Sequence, residues 1–268
     1  MYQEHWGLAH TPFRAGLDPK DYYPSPTHEE ALARLRYLVE AHRRLGVLFG
    51  PAGSGKSLLL AYVADQLSWQ GRAVALVSLL GLEPTELLWR IGLCWGLNPA
   101  WPQSPPAIWQ MLTDRLVEYR YQQIEAVVLL DDAGQARPDV LCQVERLLRL
   151  ADILDTWLTV VLTARNDELG ALGSSLLELV DLRMELEAWQ FDDTRAYLTT
   201  QLKRAGCREP VFTASAIERL QLLSGGSPRR IVQLADLALL AGAGEGSPQI
   251  DAPLLDAVWS QLTAGTTL

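Results

Sequence analysis

The sequence predicts an α/β fold, a five-stranded parallel sheet flanked by helices, followed by a small all-helical lid domain. Three observations carry that prediction. Buried apolar runs alternate with helical patterns over the first 190 residues. A glycine-rich loop, Gly50-Pro51-Ala52-Gly53-Ser54-Gly55-Lys56-Ser57, joins the first of these runs to a helix. From Asp192 onward the pattern turns to helices only. The expected division is 1–190, with an N-terminal arm over 1–26, and 191–268.

The arm is rich in aromatics and proline, among them Trp6, Phe13, Tyr22 and Tyr23. Its composition allows an irregular segment packed on the domain, or one lining the base side of a nucleotide pocket. Thr27 to Arg44 reads as a helix with a Thr27/Glu30 capping box. Residues 46–49 form a short strand, and the helix after the loop ends near Gln70-Gly71. Arg72–Leu79 is a second strand, Pro84–Trp95 a helix, and Asn98-Pro99 with Pro102 mark a loop. Ser104-Pro105 opens a helix to about Tyr121.

Ala126–Asp132 is an apolar run ending in two acids, 75 residues beyond Lys56. Pro138–Thr156 is the next helix, with Leu150–Ile153 on its apolar side, and Trp157–Thr163 the next strand. Leu182–Leu186 closes the sheet. Helices then follow over Asp193–Ala205, Thr213–Ser224 with Thr213 as N-cap, and Pro228–Ala241. Gly242–Gly246 reads as a flexible break before a last helix, Leu254–Leu262.

Composition narrows the function. The chain has 268 residues, 49% of them hydrophobic, enough for a sizeable core. Its net charge of −9 disfavours nucleic-acid binding by bulk electrostatics, though a local basic patch stays open. Cys94, Cys142 and Cys207 are widely spaced in apolar helical contexts, which points to buried thiols and a reducing, cytoplasmic setting. Met1–Trp6 lacks the pattern of a signal peptide. The longest apolar stretch, Ile231–Gly242, is broken by Gln233 and Asp236, so no transmembrane segment is expected.

The chemistry gathers at the glycine loop. The pattern G-x-x-x-x-G-K-[ST] between a strand and a helix is a phosphate cradle. Glycines let backbone N–H groups converge on a polyphosphate, and the helix dipole adds to the attraction. Gly50 through Leu58 would hold ATP, Lys56 reaching the β- and γ-phosphates and Ser57 taking a place on Mg²⁺. Asp131, at the end of a buried strand, would hold Mg²⁺ through a water, and Asp132 would polarise the attacking water. A paired acid at a strand end can also simply cap the next helix. Thr163-Ala164-Arg165-Asn166 brings polar groups to the same sheet edge. Arg229 opens a helix, where the dipole opposes a cation, so a partner anion or plain surface exposure must account for it.

In this order the motifs resemble those of an AAA+ ATPase, and more narrowly the ATPase module of the general secretion pathway protein A (ExeA-type) family. Its N-terminal signature is matched by Met1-Tyr2, His5-Trp6-Gly7-Leu8, Pro12-Phe13, Asp18-Pro19, Tyr23, Ser25-Pro26, His28 and Ala31-Leu32. Its closing helix is matched by Leu223-Ser224, Gly226, Pro228-Arg229, Ile231, Leu234-Ala235-Asp236 and Ala238-Leu239-Leu240. The likeness covers roughly residues 1–262. It implies an ATP-driven switch or motor on a larger protein assembly, often a nucleotide-dependent homo-oligomer. Arg229 would then be the sensor-2 arginine at the γ-phosphate, and Thr163 or Asn166 the sensor-1 residue. Two positions depart from the family: Asp132 replaces a glutamate, and Leu179 stands where relatives carry an arginine. The resemblance leaves two further roles open, a transposition-type regulatory ATPase on DNA and a nucleotide-binding adaptor with little turnover.

Overall fold

In the computed structural model the strand cores are buried on both faces. Val127, Val128, Leu129 and Leu130 are each 0% exposed, as a central parallel strand demands. The structure describes residues 2–98, 104–207 and 209–263. The elements of the α/β part run α1 (Tyr2–Trp6), α2 (Pro26–Glu40), β1 (Leu45–Phe49), α3 (Lys56–Trp69), β2 (Ala73–Ser78), α4 (Pro84–Cys94), α5 (Pro105–Gln122), β3 (Ala126–Asp131), α6 (Pro138–Leu154), β4 (Leu158–Ala164), α7 (Ser174–Glu178) and β5 (Leu182–Glu185). Four helices follow: α8 (Phe191–Arg204), α9 (Ala214–Ser224), α10 (Pro228–Glu245) and α11 (Ala252–Thr263).

The five strands are parallel, in the order β2-β3-β4-β1-β5. Alternate residues feed two layers. Val128, Leu130, Val160 and Leu162 pack against α4, α5 and α6, while Val127, Leu129, Val161 and Leu48 face α2 and α3. Burying each such side chain stabilises the fold by about 1.5–3 kcal/mol. With β4 between β1 and β3, the loops leaving these strands share one edge, where ligands bind in open α/β sheets. A third cluster joins α8–α11 to the arm: Trp6, Leu8 and Phe13 pack with Tyr197, Leu234, Leu239 and Leu255.

Several local expectations are corrected. The N-cap of α2 is Ser25 rather than Thr27, whose hydroxyl accepts the Glu187 N–H at 3.1 Å. The supposed break at Gly242–Gly246 is the last turn of α10, capped by Gly246 at φ 67°. Gly242 is there for packing, since a Cβ would stand 2.9 Å from Trp6 Cζ2. Of the three thiols only Cys207 is buried, because Cys94 and Cys142 lie off the packed faces of α4 and α6. Ile153 is 80% exposed, on the outer side of α6. Thr213 does cap α9, accepting from the Ala216 N–H at 3.2 Å. Of the 98–102 loop, Pro99 and Pro102 lie outside the described residues.

Candidate nucleotide site

The loop between β1 and α3 takes a shape that only glycine allows at two points. Gly53 has φ 77° and Gly55, the N-cap of α3, has φ 97°. Both are also crowded. A Cβ at Gly53 would lie 2.7 Å from Ser227 Oγ, and one at Gly55 would lie 2.6 Å from His28 Nε2. Lys56 folds back over the loop, its Nζ donating to Gly50 O at 2.8 Å and Pro51 O at 2.9 Å. Burial lowers the Lys56 pKa, and the Asp131 carboxylate works against that shift.

The neighbouring strand ends supply the acids. The register that pairs Leu130 with Leu162 brings Asp131 beside Thr163. The Thr163 hydroxyl donates to Asp131 Oδ1 and accepts the Asp132 N–H at 3.0 Å. Asp132 turns into the left-handed region at φ 57°, which ends the strand and aims its carboxylate at the Ser78 hydroxyl, 3.2 Å away. Burial and then the adjacent Asp131 raise the Asp132 pKa.

These side chains line one cavity of about 200 Å³. Ala52 through Leu58 form its floor, Asp131, Asp132 and Thr163 one wall, and Arg229 reaches it from the lid. Gly50 and Pro51 contribute through the carbonyls that hold Lys56. Asn166 is not brought in; its amide donates to Glu185 Oε1 at 3.3 Å. Arg165 and Glu168 line the wall instead. Glu168 is fixed by Gln135 Nε2 at 3.0 Å and by the Arg165 N–H at 3.1 Å. Arg14, Ala15, Gly16 and Leu17 complete the rim, so the arm both packs on the lid helices and borders the cavity. Only the place of Arg165 and Glu168, just past an apolar strand, hinted at them in the sequence.

The donors fit a magnesium nucleotide. Ser57 and Asp131 offer hard oxygens on the cavity wall, the kind Mg²⁺ takes alongside phosphates and waters. The left-handed glycines give the loop the kind of turn in which successive backbone N–H groups can converge on a polyanion.

A P-loop nucleoside-triphosphatase fold with a helical lid is therefore in place, and the comparisons agree on its class. Residues 39–170 match the family model of the AAA domain. Solved structures of the same fold include Cdc6p from Pyrobaculum aerophilum, with a TM-score of 0.71 at 20% identity, covering 87% of this chain and 68% of that one. The Thermotoga maritima RuvB Holliday junction branch migration motor gives 0.58 at 18% identity, covering 88% and 69%. The chain carries an AAA domain over residues 39–170 and is similar to general secretion pathway protein A. To that protein from Aeromonas hydrophila it is 31% identical over 254 residues, 93% of this chain and 46% of the relative. It thus spans about half the length of the curated relative it matches. Among the described residues no helix is long and apolar enough to cross a membrane.

Proposed function

We propose that this chain binds and hydrolyses ATP with Mg²⁺, and acts as a switch or motor on a secretion- or pilus-type protein assembly. The observation that carries the reading is the convergence of Lys56, Ser57, Asp131, Asp132 and Arg229 on one cavity. Mg²⁺, when bound, would neutralise phosphate charge and orient the γ-phosphate. Lys56 would leave its loop carbonyls for the β- and γ-phosphates. Asp131 and Ser57 would hold the metal, and Thr163 keeps Asp131 in place. Asp132 would orient the attacking water and take its proton. Its shorter side chain, together with Leu179 packed against the sheet core, favours slow turnover. The assembly role rests on the secretion-pathway relative, and the lid over the cavity supplies a surface whose position a partner could read.

The test is a pair of substitutions. Lys56→Ala should weaken Mg·ATP binding at least about a hundredfold by calorimetry while leaving the melting temperature near wild type. Asp132→Asn should bind ATP as wild type does and lose turnover. Unchanged affinity in Lys56→Ala, or unchanged turnover in Asp132→Asn, would overturn the assignments.

A further inference from the structure

We propose that His28 is a positioning residue for the phosphate loop, holding the Ser54–Gly55 turn from behind and tying it to the connector that carries the lid. The inference rests on the nucleotide-binding reading above and adds a residue outside the P-loop motif. His28 sits in the first turn of α2 and is 3% exposed, wedged between Tyr22 and Trp189.

Its hydrogen bonds fix the tautomer. The Trp189 indole N–H can only donate, and it lies 3.4 Å from Nδ1. Nδ1 therefore accepts, also from Ser25 Oγ at 2.7 Å, and the ring proton is on Nε2. That N–H faces the Ser54–Gly55 turn, and the Ser54 main chain works against the burial that lowers the His28 pKa. The fit is tight, for a methyl group at Gly55 would stand 2.6 Å from Nε2. Burial pushes the His28 pKa down to about 4, which preserves this pattern at neutral pH.

The other side of the ring leads to the lid. The Trp189 main-chain N–H donates to Gly226 O at 2.9 Å, and its main-chain carbonyl accepts from Gln221 Nε2 at 2.7 Å. Gly226 is pressed so close that a Cβ would meet Trp189 O at 2.3 Å. Three residues later Arg229 donates its own N–H to Gly53 O at 3.2 Å. His28 and Trp189 thus close a ring of contacts from the back of the loop, through the connector, to the start of α10 and back to the loop. A histidine that only fills the core would face no part of the phosphate loop; here Nε2 abuts Gly55 while Nδ1 is bonded to the Trp189 indole of the connector.

The two amides separate the two nitrogens. Glutamine places an N–H near Nε2, whereas asparagine can only mimic Nδ1. Mg·ATP affinity is measured by calorimetry on the full chain for His28→Gln, His28→Asn and Trp189→Phe, with melting temperature as the control for folding. His28→Gln should stay within about threefold of wild type, and His28→Asn should lose about tenfold, the worth of one buried hydrogen bond. Trp189→Phe keeps the ring, loses the donor, and should fall about two- to fivefold. Wild-type affinity in His28→Asn, or equal losses in both amides at matched melting temperatures, overturns the proposal. Unchanged affinity in Trp189→Phe removes the link to the lid connector. A wild type that binds no nucleotide overturns the parent reading, and this one with it.

Discussion

The sheet core and the lid close their hydrophobic interiors in opposite ways. Both layers of the sheet are filled by residues between Tyr22 and Leu186, drawn from strands and the helices beside them in sequence. The lid cluster is not self-sufficient. Trp6, Leu8 and Phe13 come to it from the far end of the chain. Polar bonds fasten the same contact: Trp6 Nε1 donates to Leu239 O at 2.8 Å, and the Tyr2 hydroxyl to Asp236 at 2.7 Å. A bundle of four short helices gains its missing wall from the arm, and the arm then passes the rim of the cavity at Arg14–Leu17. Lid packing and nucleotide access are thereby joined in one segment.

The largest expected effect tests whether the arm completes the lid. Trp6→Ala removes a large side chain that is 7% exposed and should cost about 3–5 kcal/mol. Hydrogen exchange should show α8–α11 losing protection while β3 and β4 keep theirs. Equal losses in the sheet would break the contrast and make the two clusters one cooperative unit.

A second effect lies at the joint between them. His28 is neutral and buried in the fold, with its pKa lowered from 6.5 to about 4, while in the unfolded chain it titrates near 6.5. The unfolded state therefore takes up the proton first, and stability falls as pH drops from about 6.5 towards 4. This one group accounts for about 3 kcal/mol of that loss. In urea unfolding the His28→Gln chain should show a shallower decline over the same range. Parallel curves for the two proteins would mean that another group carries the acid sensitivity.

What could be read in advance follows the same divide. Glycine loop, buried strands and acidic strand end are local patterns, so Gly50–Leu58, Asp131 and Asp132 were legible from spacing alone. So was the switch to helices near Asp192. The errors fall where a distant residue decides the local structure. Gly242 reads as a break until Trp6 is known to lie against it. Thr27 looks like a cap until Glu187 is found bonded to it. Thr163 and Asn166 stand equally close to the strand end in the sequence, and only the tertiary bond of the Asn166 amide to Glu185 on β5, beyond β1, tells their positions apart. His28 belonged to a recognisable signature, but its reason is tertiary: it needs Ser54, Gly55 and Trp189 in place.

The smallest effect concerns the contact through which the lid would sense the nucleotide. Arg229 lies in the first turn of α10, where the dipole disfavours a cation by about 0.3–1 kcal/mol. Its main chain is tied to Gly53 O, and its side chain lines the cavity. A γ-phosphate in the cavity would reverse the balance through charge-assisted hydrogen bonds of about 1.5–3 kcal/mol. The difference, about 1 kcal/mol or more, should appear as preference for ATP over ADP. Arg229→Ala should therefore cut the ATP-to-ADP affinity ratio about five- to tenfold and leave the sheet domain stable. Arg230, turned by about 100° around the helix, serves as the control and should change the ratio less than about twofold. Equal effects at 229 and 230, or none at either, would mean that the lid meets the loop through backbone contacts alone, and that its arginine does not distinguish the two nucleotides.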